Sequence, residues 1–318
     1  MSTYTRAGVD IKEGERFAQF IANFPSSAIS DQSGGFAGAI PVNLKSYIDP
    51  VILTTTDGIG TKLLVAKKLA VYDTVGIDLV AMCANDLSVC GAKPTAFLDY
   101  IACGKIHLDV LQDVIKGIVA GCEQAECLLV GGETAEMPDM YTDDDIDLAG
   151  FALGVTERED QLPRIERIRT GDRILGLLSN GIHSNGFSLA RKVLPMGDRE
   201  ILESLLTPTK IYVRELIYLL ETGLVNAAAH ITGGGLVKNL QRVLPKGTEA
   251  RLTHNWPVPA IFDEIRKQGA IEDEEMHRVF NMGIGIALVS PRNEADNLLS
   301  IAEHRRIELV DIGEVASG

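Results

Sequence analysis

Thr55-Thr56-Asp57-Gly58-Ile59-Gly60-Thr61-Lys62 sits between two runs of different periodicity. The apolar run Val51-Ile52-Leu53 leads in, and the helix-like run Leu63-Leu64-Val65-Ala66-Lys67-Lys68-Leu69 leads out. This pattern predicts a buried strand, a turn bent by two glycines, and a helix capped by Thr61. Asp57 at the strand end favours a cation. The backbone N–H groups of a helix start, with Lys62 beside them, favour an anion. The two together suit a phosphate that arrives with Mg²⁺. An ordinary strand–turn–helix with a capping Asp fits the same spacing. What separates the two alternatives is that glycines and carboxylates recur together further along.

Working outward, 318 residues suggest two domains. Hydrophobic residues make up 46% and aromatics only 5%, with 31 glycines, which points to an α/β enzyme with many tight turns. The net charge is −14 and no Lys/Arg run is visible, so no nucleic-acid partner is expected. Phosphorylated small molecules remain compatible with an acidic chain where local lysines, helix starts and metal ions reverse the field. The five cysteines, Cys83, Cys90, Cys103, Cys122 and Cys127, form no CxxC pair and lie in apolar runs. Buried thiols in a reducing cytosol are therefore expected, rather than disulfides or a zinc site. Met1 to Ile21 carries charges throughout and lacks a signal-peptide core, and no stretch is long and uncharged enough to span a membrane. The expectation is a cytoplasmic protein with no membrane partner.

Along the chain, Met1 to Gly8 reads as a mobile tail. Residues 10–24 put Phe17, Phe20, Ile21 and Phe24 on one helical face that should dock on a core. Ser33-Gly34-Gly35-Phe36-Ala37-Gly38 fits both a backbone cradle for phosphate and a plain flexible turn. Gly76 to Leu87 reads as a mostly buried helix interrupted by Asp78, Asn85 and Asp86. A carboxylate there is costly unless paired or metal-bound, or unless it lies on an exposed helix edge. Thr95 to Ala102 is strand-like, Leu108 to Cys122 is an amphipathic helix, and Cys127-Leu128-Leu129-Val130 is a short buried strand. That strand should end in Gly131-Gly132-Glu133-Thr134-Ala135-Glu136, again placing glycines and carboxylates at a strand end, where open α/β folds gather ligands. Glu133 suits a metal ligand, or simply an acid favoured by a helix start. Asp143 to Asp145 reads as a solvated loop and Asp147 to Val155 as another strand.

The charged stretch 157–169, with Pro163, marks a domain boundary, giving domains 1–165 and 166–318. Asp172 to Leu178 is predicted as a strand, ending in Ser179-Asn180-Gly181-Ile182-His183-Ser184-Asn185-Gly186 ahead of a helix. So many small and polar residues at such a turn make a plausible ligand loop with His183 at its centre. Pro208 to Leu220 reads as a helix. His230-Ile231-Thr232-Gly233-Gly234-Gly235 precedes an amphipathic helix and suits either a phosphate cradle or an eased helix start. Residues 249–253, Val279 to Ala287 and Ile307 to Ile312 are strand-like, and a helix should begin at Trp256-Pro257-Val258-Pro259.

The chain resembles the phosphoribosylformylglycinamidine cyclo-ligase (aminoimidazole ribonucleotide synthetase) family of purine biosynthesis, from Tyr4-Thr5-Arg6-Ala7-Gly8-Val9-Asp10-Ile11 almost to the C-terminus. The most specific stretches are Gly76–Leu87, Gly131–Pro138, His183–Gly186 and His230–Gly235, and their order and spacing matter more than any one of them. Thr55 stands where a small residue is more usual, and the segment near 195–207 and the C-terminal tail look short. The resemblance implies an α/β (α+β) fold of two domains. The N-terminal sheet would close an intersubunit barrel in a homodimer, and the C-terminal domain would be a mixed sheet with helices. It implies ATP and Mg²⁺ as cofactors and formylglycinamidine ribonucleotide as substrate. By the same resemblance, Asp57, Asp86 and Glu133 would bind metal. Gly34, Gly35, Thr56, Asp57, Gly58, Lys62 and Asn85 would serve the nucleotide. Ser184, Asn185, Thr232, Gly233, Gly234 and Gly235 would hold substrate, and His183, Asp86 and His230 would act in catalysis.

Related enzymes of the same superfamily plan fit less well. Selenide water dikinase usually has a reactive Cys near its Gly-rich loop, and none precedes Cys83 here. The hydrogenase-maturation protein ends in a Cys-bearing tail, and this chain ends Val315-Ala316-Ser317-Gly318.

Overall fold

The computed structural model describes residues 11–31 and 33–318. The tail expected at Met1 to Gly8 lies outside them. Helix α1 (Ile11–Ala22) buries Phe17 and packs Phe20 and Ile21 partly against the core, as the helical spacing predicts; Phe24 packs there too, but from just past the end of the helix.

Strand β1 (Pro50–Gly58) differs from the expected buried strand. It runs straight through Thr55-Thr56-Asp57-Gly58 and pairs along its whole length with β4 (Ile146–Glu157), from Pro50↔Glu157 to Gly58↔Ala149. It is an edge strand whose positions Ile52, Thr54 and Thr56 face outward, so Asp57 lies within a ladder. A 3₁₀ turn at Gly60–Lys62 then leads into α2 (Leu63–Leu69). Thr61 makes no cap bond. Its hydroxyl lies 3.3 Å from that of Ser188 in the other half of the chain.

Helix α3 (Asp73–Val89) is buried almost all round, as expected from its continuous apolar sequence. Strand β2 (Lys93–Cys103) follows, then α4 (Leu108–Ala125), which packs along α3 and crosses over to β3 (Leu128–Glu136). β3 does not stop at Val130. It continues through Gly131-Gly132-Glu133 to Glu136, so those carboxylates lie within a strand. The sheet order is β1-β4-β2-β3, with β2 and β3 parallel and the other ladders antiparallel.

The second half builds a five-stranded sheet in the order β6-β8-β5-β9-β7. Its strands are β5 (Arg173–Leu178), β6 (Ala227–His230), β7 (Thr248–Leu252), β8 (Ile284–Ser290) and β9 (Leu309–Ser317). Every ladder in it is antiparallel, where the resemblance implied a mixed sheet. The helices are α5 (Phe187–Val193), α6 (Arg199–Leu205), α7 (Val213–Leu220), α8 (Gly235–Gln241), α9 (Ala260–Gly269), α10 (Asp273–Val279) and α11 (Ala295–His304).

Other boundaries moved from expectation, and the last strand runs on to Ser317. The helix predicted from Pro208 begins only at Val213, because Thr209 and Tyr212 give their backbone N–H groups to side chains of α3. The strand predicted from Val279 begins at Ile284, because Met282 and Gly283 turn through positive φ. The helix predicted from Trp256 begins at Ala260.

The largest apolar cluster joins the two halves: Val65, Leu79 and Ile115 belong to the same core as Phe187, Phe262 and Phe280. Each such fully buried side chain contributes about 1.5–3 kcal/mol relative to exposure. The relative placement of the halves is therefore held by packing as well as by the polar seam described next. All five cysteines are free, and four are buried; burial pushes the Cys83 thiol up to about 12.

Candidate active site in the seam between the two sheets

Helix α3 supplies the spine of the seam. Asp78 and Asn85 are seven residues apart, two helical turns, and both face the second half. Lys62 and Asp78 are wholly enclosed, with Nζ 2.9 and 2.7 Å from the two carboxylate oxygens. The same ammonium donates to the backbone oxygens of His183 (3.0 Å) and Thr207 (2.8 Å). Asp78 Oδ1 also accepts from the Thr209 N–H at 2.7 Å, the Thr209 hydroxyl at 2.6 Å and the Ser184 hydroxyl at 3.2 Å. The carboxylate that looked costly in the sequence is thus paired and multiply hydrogen-bonded. Burial pushes the Lys62 ammonium below its ordinary value, and Asp78 opposes that. Lys62 was expected at nucleotide phosphates; here it is committed to pinning the two halves together.

Asn85 is also occupied. Its Oδ1 accepts from the Tyr212 N–H at 2.9 Å and its Nδ2 donates to the Lys210 oxygen at 3.0 Å. Both ends of this amide tie the 207–212 segment to α3, in place of the expected nucleotide contact. Asp86, one residue on, is partly exposed and meets His230 at the end of β6, Oδ1 to Nδ1, at 2.8 Å. Asp57 lies close enough to this pair to feel both. Burial raises the Asp57 carboxyl, Asp86 raises it further, and His230 lowers it. Its Oδ1 also accepts from the Gly58 N–H at 2.7 Å.

His183 is held at φ +59°, uncommon for a residue with a side chain, and is buried with neither ring nitrogen partnered among the described residues. Burial drives its pKa well below the ordinary histidine value, and His230, Lys62 and Lys210 add to the effect. The imidazole is therefore neutral, with one nitrogen to donate and one to accept. His230 Nε2 and Asn185 Nδ2 are likewise buried without partners. Buried polar atoms are normally satisfied, so three such groups in one seam mark a place for a polar ligand.

The glycine loop adjoins this cluster. Asn185 Oδ1 would lie 3.4 Å from a Cβ at Gly233. Thr232 and Gly233 turn their oxygens inward to Asn239 Nδ2. Gly234 and Gly235 take positive φ, and a Cβ at Gly235 would fall 2.0 Å from the His277 oxygen, so only glycine fits there. A cavity of about 340 Å³ opens beside His230, lined by Thr54, Thr55, Asp86, His230, Asn239 and Arg242. Asn239 and Arg242 escaped the sequence reading. They lie on the amphipathic helix after the glycines and just beyond it, and only their spacing of three, one helical face, could have signalled them.

Glu133 stands apart. The register runs Gly58↔Ala149↔Tyr100↔Glu133, so the full width of the sheet, about 14 Å at 4.7–4.9 Å per strand, separates it from the β1 end beside Asp57. It lines a second cavity with Gly34 and Asp99. Among the described residues, no group of three His, Cys, Asp or Glu side chains gathers to hold a metal. The Asp57–Asp86 pair by itself fits Mg²⁺, which commonly takes one or two carboxylates and completes its shell with waters and substrate phosphates. No helix among the described residues is long and apolar enough to cross a membrane.

The N-terminal domain of AIR synthase related proteins matches residues 45–156, and the C-terminal domain of the same group matches residues 169–318. A phosphoribosylformylglycinamidine cyclo-ligase from Citrifermentans bemidjiense is 46% identical over 332 residues, covering 99% of this chain and 95% of its own. The trifunctional purine biosynthetic protein adenosine-3 of Bos taurus is 45% identical over 333 residues; the chain spans 33% of that protein's length. Among solved structures, the hydrogenase maturation protein HypE in complex with ATP superposes with a TM-score of 0.69 at 17% identity, covering 96% of this chain and 86% of HypE, a likeness of fold. With both domain matches in sequence order and such identity along nearly its whole length, the chain belongs to the phosphoribosylformylglycinamidine cyclo-ligase family.

Proposed function

We propose that this enzyme closes the imidazole ring of aminoimidazole ribonucleotide from formylglycinamidine ribonucleotide, consuming ATP. The observation that carries the proposal is the seam, where unpartnered His183, His230 and Asn185 stand near the Asp57–Asp86 pair. The γ-phosphoryl group passes to the formamide oxygen and ADP departs. An amidine nitrogen of the same molecule then attacks the activated carbon, and phosphate leaves with that oxygen. Little covalent work falls to the protein, so positioning and charge stabilisation dominate.

In this scheme Asn185, Ser184 and the Thr232–Gly235 loop hold the substrate, and neutral His183 orients it or moves a proton. Asp86 fixes the orientation of His230 through Nδ1, leaving Nε2 to face the ligand. Asp57 and Asp86 would hold Mg²⁺, which neutralises phosphate charge when bound. Gly34, Gly35, Thr56 and Gly58 remain assigned to the nucleotide, and Glu133 to a metal through a second subunit. We place the domain boundary at 165/166 and take the working unit to be a homodimer closed through the N-terminal sheets. A two-fold axis along such a barrel would seat β1 against the partner's β3 and so return a Glu133 to the Asp57–Asp86 side.

The direct test is incubation with ATP, Mg²⁺ and formylglycinamidine ribonucleotide, scoring aminoimidazole ribonucleotide and ADP together. Equal amounts of both are expected. ADP without the imidazole, or neither product, would reject the proposal.

A further inference from the structure

The cavity of about 340 Å³ beside His230 has two charged side chains in its lining besides that imidazole, Asp86 and Arg242. Asp86 is already engaged, since its Oδ1 meets His230 Nδ1 at 2.8 Å. Arg242 is not. Among the described residues no carboxylate pairs with its guanidinium, and its side-chain hydrogen bond goes to Asn239 Oδ1 at 3.3 Å. Asn239 is 3% exposed. Its Nδ2 donates to the backbone oxygens of Gly235 (2.8 Å), Thr232 (3.3 Å) and Gly233 (3.5 Å). Three acceptors on one side settle which end of the amide is the nitrogen, so Oδ1 faces the guanidinium. One buried side chain therefore holds the glycine loop and Arg242 in a fixed relation. The start of α8 does not carry a ligand site by itself, because the helix has only seven residues. The independent sign is His230, which lines the same cavity, is 5% exposed and leaves Nε2 without a partner among the described residues.

We propose that Arg242 selects the phosphorylated form of the substrate by binding its 5′-phosphate, and that Asn239 is the positioning residue that locks this guanidinium to the glycine loop. The inference rests on the function proposed above. A guanidinium presents its N–H donors in a rigid planar fork that matches phosphate oxygens. In a chain of net charge −14, an arginine without a carboxylate partner at a cavity wall leaves that fork to an anion from outside. An amide is the suitable anchor for it. Asn239 Oδ1 orients the guanidinium without neutralising it, as an Asp at that position would. With the phosphate on Arg242, the His230 ring is left to the uncharged part of the substrate. The phosphates of ATP belong to the N-terminal half in the functional proposal, so Arg242 discriminates on the second substrate alone.

The test is steady-state kinetics of the full chain with ATP and Mg²⁺, comparing formylglycinamidine ribonucleotide with its dephosphorylated ribonucleoside. Arg242→Met should raise KM for the ribonucleotide by about tenfold or more, as expected for a lost hydrogen bond to a charged group. Its kcat, its KM for ATP and its kcat/KM for the ribonucleoside should stay near the parental values. Arg242→Lys should recover part of the ribonucleotide's advantage, because the charge remains and the fork is lost. Asn239→Ala should raise the same KM, and adding Arg242→Met to it should raise it little further, since both act on one contact. Arg242 is exposed, so Arg242→Met should melt with the parent, and the two Arg242 variants decide the matter even where Asn239→Ala does not fold. An Arg242→Met enzyme with parental KM for the ribonucleotide, or one that loses ribonucleotide and ribonucleoside alike, overturns the inference alone. So does a rise confined to KM for ATP, which would give the guanidinium to the nucleotide. Fully additive effects of the two substitutions overturn the role of Asn239. A parent that forms no aminoimidazole ribonucleotide overturns the functional proposal along with the inference.

Discussion

The two sheets of this molecule differ in how completely their own chain covers them. In the C-terminal sheet, every residue of β6 and β8 is buried. In the N-terminal sheet, β1 alternates between half-buried and exposed positions, with Ile52 54% exposed and Phe151 of the adjoining β4 44% exposed. One side of β1 pairs with β4, and among the described residues the outer side of β3 bonds to Ala28 and Ser30 at Leu129 and meets Gly38 at Val130. Exposed edge strands of this kind invite another strand. In the second sheet β6 and β8 are covered by elements of the same chain, and exposure alternates only toward its far edge, β7; for the first sheet, a second copy is the cover proposed.

The strongest way to break this contrast is to charge the open edge. Ile52→Lys removes no core contact, so the folded chain should lose at most about 0.5 kcal/mol of stability. If the edge is an assembly surface, sedimentation should show the parent as a dimer and the variant as a monomer, with turnover falling to background. A parent that sediments as a monomer with full activity at micromolar concentration would mean that the first sheet is complete as it stands.

The next effect concerns the seam that joins the sheets. Lys62→Met leaves Asp78 as an uncompensated buried charge and two backbone oxygens without their donor. Breaking a buried pair in this way costs about 3–5 kcal/mol, read as a lower midpoint of urea unfolding. Lys62→Met with Asp78→Asn should recover part of the loss, because the neutral amide still accepts from Thr209. An unchanged midpoint for the single variant would show the halves to be held by apolar packing alone.

Much of this was legible in the sequence. Apolar periodicity gave the identity of most strands and helices, including the buried α3 and the docking face of α1. The motif order indicated the family. What failed were strand ends. The glycine–carboxylate stretches after Leu53 and Val130 read as turns because glycine and acid are poor strand formers, yet ladder pairing kept both extended. Helix α6 was missed because its seven residues are too few for a clear period. The motifs also singled out His183, Asp86 and His230; the fold sets Asp86 against His230, with His183 near enough to feel the charge of His230. Lys62 and Asn85 were singled out, but apart from Asp78, sixteen positions from Lys62, the partners that hold them lie more than a hundred positions away, which no local pattern encodes. Asp99 was invisible for the opposite reason: one polar residue in a strand looks like a solvent-facing position until its burial is seen.

The third effect sharpens the contrast between residues that build the seam and one that works in it. Among the described residues His183 has no hydrogen-bond partner for its ring, so His183→Ala forfeits none, and stability should change little compared with Lys62→Met. Turnover should fall by about a hundredfold, the lower range for loss of a positioned acid–base group, while ATP affinity stays near the parental value. Steady-state kinetics beside nucleotide calorimetry decide it. Unchanged turnover, or loss of ATP binding alone, would move His183 out of the substrate site.

The smallest effect distinguishes two carboxylates that the sequence treats alike. ATP is strongly anionic, and Asp57 and Asp86 beside it would repel it without a divalent ion between them. Asp→Asn at either position keeps the shape and removes a charge, so each variant should need several-fold more Mg²⁺ for half-maximal activity. Their stabilities should part company. Asp57 is raised above 3.8 chiefly by burial, with Asp86 adding, so its ionised form destabilises the metal-free fold. A raised carboxyl favours the native state most at low pH, and that contribution fades as pH rises through the native value. Asp57→Asn should therefore melt higher than the parent at neutral pH, and the gain should vanish as pH falls toward 3.8. Asp86 is partly exposed and bonded to His230, so Asp86→Asn keeps an acceptor for that ring but weakens the bond, and should melt slightly lower. A Mg²⁺ titration of activity and a melt at two pH values test both statements. Parental Mg²⁺ dependence in both variants would leave the pair without a shared ion. A lower melting temperature for Asp57→Asn at neutral pH would make its carboxylate a structural acceptor at the end of β1, through its hydrogen bond with the Gly58 N–H.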